Sequence, residues 1–232
     1  MSKDSQPELM AILQRLNAVM SRSPQFAGER SEEVIAEGGW CGRSPATESE
    51  IRAAEARLGV KFPPSYRLFL SLSNGWRIFN SFVEQLLPVQ EIDRFRRRDP
   101  ESFALMESAR EKTVARVGCD SSVVSDEVYL DYENPAHNMA IRQHYYGDSL
   151  LISEASESEL VLLNPFVVSP DGEWETIFSA HWIPGNERFR TFRDYLEKVV
   201  REEEQFLADE PNRSPSVSDD LNYPPNLFQG DD

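Results

Sequence analysis

Paired acidic residues such as Asp126 with Glu127, or Glu173 with Glu175, could in principle perform acid–base chemistry. Where one carboxyl group is protonated and the other ionised, such a pair can donate one proton and accept another. On a strand or in a turn, however, neighbouring carboxylates far more often form a solvated face. We therefore interpret both pairs as surface charge.

Three histidines, His137, His144 and His181, are the other residues that suggest catalysis or metal binding. None belongs to an HExxH, HxH or Cys/His pattern, and none lies beside a recognisable nucleophile motif. Cys41 and Cys119 are far apart and form no CxxC pair, which argues against a zinc site or a disulfide framework. The sequence also lacks a P-loop and a GxSxG motif. It predicts a protein that is not an enzyme and needs no metal or cofactor.

The charge balance is strongly acidic, with 40 Asp and Glu side chains against 24 Lys and Arg and a formal net charge of −16. A nucleic-acid-binding protein must neutralise phosphates with clustered basic residues, so this balance argues against nucleic acid as a partner. A basic protein partner is one interpretation. The other is charge that keeps the protein soluble, since much of it lies in Glu202–Glu204 and the tail beyond.

One dense basic cluster interrupts this acidity, formed by Arg94, Arg96, Arg97 and Arg98. Such a cluster can bind nucleic acid or an acidic partner, or can pair with the acidic tail. Because the cluster is short and the remaining chain is acidic, we favour an exposed face of a helix.

The composition is that of a globular protein with one core, since 40% of the 232 residues are hydrophobic and 28% are charged. No segment has the apolar length needed to span a bilayer, and the first residues lack the basic-then-apolar pattern of a secretory signal. From the sequence we expect a cytoplasmic protein without membrane contact. The oligomeric state is left open.

The element that best explains the arrangement of the chain is a predicted helical hairpin. Thr47 and Glu50 form a capping box at the start of its first helix, and Gly59 follows the last turn as a left-handed terminal residue does. Pro63-Pro64 suits the entrance of a second helix, which ends before Asn74-Gly75. The apolar faces of the two helices comprise Ile51, Ala54, Leu58, Tyr66, Phe69 and Leu70.

Before the hairpin, residues 7–20 place apolar side chains on one stripe of a helix, and residues 21–45 form a connecting loop with a short helix at 32–36. After the hairpin, a first strand follows Trp76, and a helix covers residues 89–112.

The second half of the chain is predicted to be rich in strands. Strands occupy residues 123–153, the last of them at Ser149–Ser153, and a buried strand at Leu160–Asn164 ends at Pro165. Asp171-Gly172 is a hairpin signal leading into a strand at Glu173–Ser179, so the sheet is at least partly antiparallel. A turn at Trp182–Gly185 precedes a closing helix at Arg188–Val200.

The order of these residues resembles the SUKH superfamily, the Smi–Knr-like proteins. Members show a Glu before a Leu-Gly pair, here Glu55 and Leu58-Gly59, and then a Pro-x-x-Tyr-x-x-Phe-Leu segment that ends in Asn-Gly, here Pro63 to Gly75. The downstream half also resembles bacterial members. They show, in this order, a Leu-Leu-Asn-Pro strand end, a Gly-Glu-Trp-Glu turn, a Trp-x-Pro-Gly turn and an aromatic-rich helix start. Here these segments are Leu162–Pro165, Gly172–Glu175, Trp182–Gly185 and Phe189–Phe192.

The resemblance implies an α+β fold, a mixed and mostly antiparallel β-sheet flanked by helices. We divide the chain into an N-terminal helical extension and loop (1–45), a SUKH-like domain (46–204) and an acidic, flexible tail (205–232).

The resemblance also implies a non-catalytic role. Many bacterial members are immunity proteins that bind and block a toxin domain, and others are regulators or adaptors. Combined with the acidity, this favours a basic, nucleic-acid-directed toxin such as a nuclease as the partner. A regulatory or scaffolding adaptor is the alternative, and a peptide- or small-molecule-binding enzyme subunit is a weaker one.

We expect partner-binding side chains at the surface, because aromatic anchors and complementary charge dominate protein interfaces. The candidates are Asn74, Gly75, Trp76, Glu84, Asp126, Glu127, Glu173, Trp174, Glu175 and Trp182.

Overall fold

The computed structural model describes residues 6–23, 26, 29–118, 123–155, 159–180, 183 and 185–209. The helices in these ranges are α1 (Gln6–Met20), α2 (Glu29–Ala36), α3 (Glu48–Leu58), α4 (Pro64–Leu72), α5 (Phe95–Arg98), α6 (Pro100–Val117), α7 (Asp126–Tyr129), α8 (Pro135–Asn138) and α9 (Phe192–Asp209), with a 3-10 helix at Gln143–Asp148. The strands are β1 (Val83–Leu86), β2 (Asp93–Arg94), β3 (Leu150–Leu151), β4 (Ser153–Ala155), β5 (Leu160–Val168), β6 (Trp174–Ser179) and β7 (Asn186–Phe189).

Five strands form one sheet in the order β2-β3-β5-β6-β7, in which every neighbouring pair is antiparallel. The β5–β6 hairpin, with Leu162 opposite Ile177, lies at its centre and turns through Asp171-Gly172 as the sequence predicts. β1 and β4 pair antiparallel in a smaller sheet. The predicted fold class, α+β with a mostly antiparallel sheet flanked by helices, is confirmed.

One face of the large sheet carries the main core. Residues of β5 and β6, such as Val161 and Phe178, share it with side chains from α1, α3, α4 and α9. α1 packs against α4 and α9, so the N-terminal helix belongs to this core although it precedes the hairpin. Its predicted stripe is buried in full, comprising Leu9, Ile12, Leu13, Leu16 and Met20.

The opposite face of the sheet carries a smaller core. Leu162 and Ile177 pack there with Phe95 and Tyr146. α6 covers this face incompletely, because only Phe103 and Met106 among its residues pack on the core and none of its side chains is fully buried. None of the helices in the described ranges is long and apolar enough to cross a membrane.

The helical hairpin forms as predicted. The Thr47 N–H donates to the Glu50 carboxylate at 2.8 Å and the Glu50 N–H donates to the Thr47 hydroxyl at 3.3 Å, which completes the capping box. Gly59 closes α3 in the left-handed conformation, with φ +68°. In α4, the Tyr66 ring packs edge-on against Phe192 of α9, with centroids 4.9 Å apart.

The strands predicted between 123 and 148 are wrong, since α7, α8 and the 3-10 helix occupy this segment. The side chains of Ser125 and Asn134 each accept a hydrogen bond from a backbone N–H in the first turn of a short helix. Pro135 then occupies the first helical position of α8. Capping side chains and a proline in that position favour helical turns over a strand.

Two predicted boundaries of the second half are also corrected. β5 continues past Pro165 to Val168, through an irregular register between Asn164 and Val168 that accommodates a residue without an N–H. The last helix begins at Phe192, because Arg188 pairs with Ile177 in the sheet as part of β7.

The predicted first strand and the helix at 89–112 are both shorter than expected. Within the segment predicted as the first strand, only Val83–Leu86 form a strand. Residues 93 and 94 pair with β3, and α6 begins only at Pro100, where the Asp99 side chain accepts from the Ser102 N–H at 3.0 Å.

Gly75 occupies a turn in which an added side chain would clash with the backbone. It has φ +90°, and a Cβ there would lie 2.6 Å from the Leu86 carbonyl oxygen. We expect Gly75→Ala to lower the free energy of unfolding by about 3 kcal/mol, because it adds a backbone clash to a strained conformation. Gly59→Ala is the control, since φ is +68° but no atom lies within 4 Å; its cost should be about 1 kcal/mol. Urea unfolding measures both, and equal losses would contradict the clash.

Candidate partner-binding surface

Glu173 caps the N-terminus of α4. Its Oε1 accepts from the Ser65 backbone N–H at 2.8 Å, and its Oε2 accepts from the Ser65 hydroxyl at 2.6 Å. The N-cap residue Pro63 makes no side-chain cap, and the start of a helix favours negative charge. A residue 108 positions away in sequence therefore supplies the cap, and it is 4% exposed.

Glu175 is fully buried and accepts four hydrogen bonds. Its Oε1 accepts from the Tyr132 hydroxyl and from Arg188 Nη1, both at 2.9 Å. Its Oε2 accepts from the Tyr129 hydroxyl at 3.0 Å and from Asn164 Nδ2 at 2.7 Å. An ionised carboxylate has about four lone-pair sites, so no acceptor capacity is left over for a ligand.

Arg188 completes this polar cluster from β7. Its Nε donates to the Asn138 carbonyl at 3.1 Å, its Nη2 to the His137 carbonyl at 2.8 Å and its Nη1 to the Tyr129 carbonyl at 2.5 Å. The guanidinium carbon lies 3.9 Å from the centroid of the Tyr129 ring. The ion pair therefore ties residues 125–142 to the sheet.

This environment raises the pKa of two phenols. Burial is the main cause at both Tyr129 and Tyr132, and the negative charge of Glu175 adds to it. A tyrosine whose pKa is higher in the folded than in the unfolded chain stabilises the fold below about pH 10, and this stabilisation is lost as the pH rises further.

The loop after α4 is also part of the scaffold. Trp76 is fully buried, its N–H and carbonyl both pair with Leu86 at 2.9 Å, and its ring contacts Trp40 edge-on with centroids 5.0 Å apart. Asn74 is half-buried, and its Oδ1 accepts from the Val89 N–H at 2.7 Å. The loop therefore holds α4 against the region around β1.

The expected surface exposure is wrong for half of the candidates, because the core buries Gly75, Trp76, Glu173, Trp174 and Glu175. A partner that contacts the outer surface does not reach these side chains. Trp182 lies outside the described residues. A partner-binding role for the ten candidates stays a prediction, and it now depends on the exposed members.

Of the other described candidates, two are exposed and two, Glu84 and Asn74, are half-buried. Asp126 and Glu127 are exposed on α7, where Asp126 accepts from Arg142 Nη2 at 2.6 Å. Glu84 is half-buried on β1, close to the Asn74–Trp76 loop, and accepts from Arg30 Nη1 at 2.6 Å. The structure thus groups the candidates around β1 and around α7 and β6.

A groove that the sequence analysis missed runs along α9. It has a volume of about 340 Å³, and we call it the α9 groove. Its apolar lining comes from Phe82, Phe178, Ile183, Tyr195, Val199 and Phe206, and its charged lining from Glu187, Lys198, Glu202, Glu203 and Asp209.

The acidic run of α9 is the sequence signal that marks this groove. Glu202 lines the groove, whereas Glu203 is 4% exposed and accepts from the Ser81 N–H at 2.9 Å. Glu204 pairs with Arg15 of α1 at 2.6 Å. Consecutive helical residues point in different directions, so three identical side chains perform three tasks.

A second groove, of about 560 Å³, lies between α6 and the sheet. Leu105 and Met106 line one side, and Leu160 and Ala180 line the other. This groove exists because α6 covers the smaller core incompletely.

Three of the four clustered arginines lie on an exposed helix, as expected. Arg96, Arg97 and Arg98 are exposed on α5 and form ion pairs with Asp148, Asp93 and Glu91. Arg94 lies in β2 and donates to the Leu58 carbonyl at 3.1 Å. The cluster is therefore largely neutralised within the fold.

Other groups that could do chemistry have structural surroundings. No group of three His, Cys, Asp or Glu residues that could hold a metal occurs in the described part of the chain. His137 Nδ1 lies 2.9 Å from an Asp131 carboxylate oxygen. Cys41 is buried, and this burial raises the pKa of its thiol to about 11.

These contacts define a mixed α+β domain in which the conspicuous sequence motifs hold the scaffold together. Residues 45–198 match the model of the SMI1/KNR4 family (SUKH-1), so the chain belongs to this family. The family is known for immunity proteins of polymorphic toxin systems, which are generally non-catalytic. No curated protein matches the chain. The division at residues 45 and 205 stays a prediction.

The Glu175–Arg188 pair allows a test of the buried cluster. Glu175→Gln leaves Arg188 as a buried charge without its counter-ion, so we expect it to lower the free energy of unfolding by about 3–5 kcal/mol. Urea unfolding monitored by tryptophan fluorescence gives this value.

A double-mutant cycle separates the pair from general damage to the core. Arg188→Met alone should cost a similar amount, and the double variant should cost clearly less than the sum of both. Additive losses, or a loss below about 1 kcal/mol for Glu175→Gln, would show that the pair does not hold residues 125–142.

Cys41 gives a second test of burial. Its raised pKa leaves the thiol protonated at neutral pH, and thiolate is the reactive form. In a Cys119→Ser background, we expect negligible reaction of native protein with a thiol-specific disulfide reagent at pH 8, and rapid reaction in urea. Fast labelling of the native protein would contradict a buried Cys41.

Proposed function

We propose that the protein is an immunity protein, which binds the toxin domain of a cognate polymorphic toxin and blocks it by covering its active site. The observation that carries this proposal is the family match over residues 45–198. Blocking by contact requires a rigid surface and no catalytic group, cofactor or metal. We place this action in the cytoplasm of the protected cell.

We infer further that the toxin domain is basic and acts on nucleic acid, as a nuclease does. The net charge of −16 supports this inference, because acidic side chains can occupy the positions that phosphates take in such an active site. Internal ion pairs remove equal numbers of both charges, so the acidic excess persists after folding. Opposite net charges also accelerate encounter.

The exposed acidic candidates supply the surface in this proposal. Asp126 and Glu127 begin α7, which the Glu175–Arg188 pair anchors to the sheet. The half-buried Glu84 lies on β1, and the half-buried Asn74 accepts from the Val89 N–H beyond the end of β1. Because buried contacts fix these elements, little ordering is required on binding.

Growth protection tests the proposal. The probe is the terminal domain of a secreted toxin encoded by the neighbouring reading frame. We expect co-expression of this protein to restore growth of cells that express that domain, and the purified proteins to form a complex whose Kd rises steeply with ionic strength. A lack of protection together with a lack of binding would sink the proposal and favour an adaptor role.

Charge reversal tests the location of the contact. Glu127→Lys and the control Glu111→Lys change an exposed residue and alter the net charge equally. We expect Glu127→Lys to raise the Kd for the toxin domain at least about tenfold more than the control. Equal effects would mean that charge acts only through long-range attraction and that α7 is not in contact.

A further inference from the structure

The α9 groove combines an aromatic floor with a carboxylate rim. Phe178 and Tyr195 form part of the floor, and Phe82 stands at the side, 48% exposed. Exposed aromatic side chains beside carboxylates bind the alkyl stem and the charged head of arginine or lysine together.

The protein's own Lys198 shows that this place holds a cation. Its Nζ pairs with Glu187 and lies 2.9 Å from a Glu202 carboxylate oxygen. The same Nζ is 5.9 Å from the ring centroids of Phe178 and of Phe189. Carboxylates and aromatic faces thus already surround one ammonium group.

The groove retains negative charge beyond that pair. Four carboxylates line it against the single ammonium of Lys198. The Tyr195 side chain lies beneath these carboxylates and is buried, with 1% of the residue exposed. This burial raises the pKa of the Tyr195 phenol well above its usual value.

The groove wall is held in place. Both oxygens of Glu203 accept from Ser81, from its N–H at 2.9 Å and from its hydroxyl at 3.1 Å. Asn80 Oδ1 accepts from the N–H groups of Phe82 and Val83 at 2.9 and 2.6 Å. The loop that presents Phe82 is therefore preorganised, which lowers the cost of binding.

We propose that the α9 groove binds an arginine or lysine side chain of a basic partner protein, with its alkyl stem against Phe82 and Phe206 and its cationic head between Glu202 and Asp209. This inference rests on the proposed function for the identity of the partner as a toxin. Charge complementarity supports this occupant, because four carboxylates line the groove against one ammonium group.

The first experiment probes the groove without any toxin. N-acetyl-arginine amide is titrated into the full chain and followed by NMR, with N-acetyl-citrulline amide as the neutral control of similar shape. We expect saturable shifts at Phe82, Phe206 and the Glu202 amide with the arginine compound and none with the citrulline compound. Shifts that are absent, or spread evenly over acidic surface residues, would overturn the proposal.

Two matched pairs of variants complete the test. Glu202→Gln is compared with Glu204→Gln, whose parent side chains are 56% and 42% exposed in neighbouring ion pairs. Phe82→Ser is compared with Phe166→Ser, at 48% and 50% exposure. We expect the groove variants to weaken binding of the arginine compound and of the toxin domain about tenfold, and the controls to change either less than about twofold.

The outcomes separate this inference from the proposed function. If the toxin domain binds but the groove variants match their controls, the inference is wrong and the immunity role stands. If the arginine compound binds in the groove while no toxin domain binds, the groove is a cation site and the immunity role fails. Thermal unfolding of each variant excludes misfolding as the cause.

Discussion

The buried ion pair between Glu175 and Arg188 determines the position of much of the second half of the chain. Charges removed from water are costly unless every donor and acceptor is satisfied. Here two tyrosine hydroxyls, an asparagine amide and three backbone carbonyls satisfy them. The segment at 125–142 therefore folds where it does because the pair on β6 and β7 requires its polar groups.

The segment Glu173–Glu175 also connects the two halves of the chain. Glu173 precedes β6 and caps α4, while Glu175 within β6 accepts a hydrogen bond from Tyr129 of α7. The helical hairpin and the downstream hairpin, which look independent in the sequence, thus meet at one turn. Glu173 and Glu175, which suggested acid–base chemistry or partner contact, are buried and connect parts of the scaffold.

Local signals predicted what depends on local chemistry. The capping box at Thr47, the left-handed Gly59 and the Asp171-Gly172 turn all form, because near neighbours in sequence determine them. Burial of Glu173 and Glu175 was not predictable, since their partners lie up to 108 residues away and a lone carboxylate looks solvated. The α9 groove was missed for the same reason, because Phe82 and Glu202 meet only in the fold.

In the run of three glutamates of α9, adjacent positions serve stability and surface recognition separately. Glu203 holds the Ser81 loop and is buried, whereas Glu202 faces the open groove. Substitution at 203 removes both hydrogen bonds to Ser81, whereas substitution at 202 removes only an exposed ion pair with Lys198, and such pairs contribute little to stability. A lineage can therefore change what this surface accepts one residue at a time, without first having to restore stability.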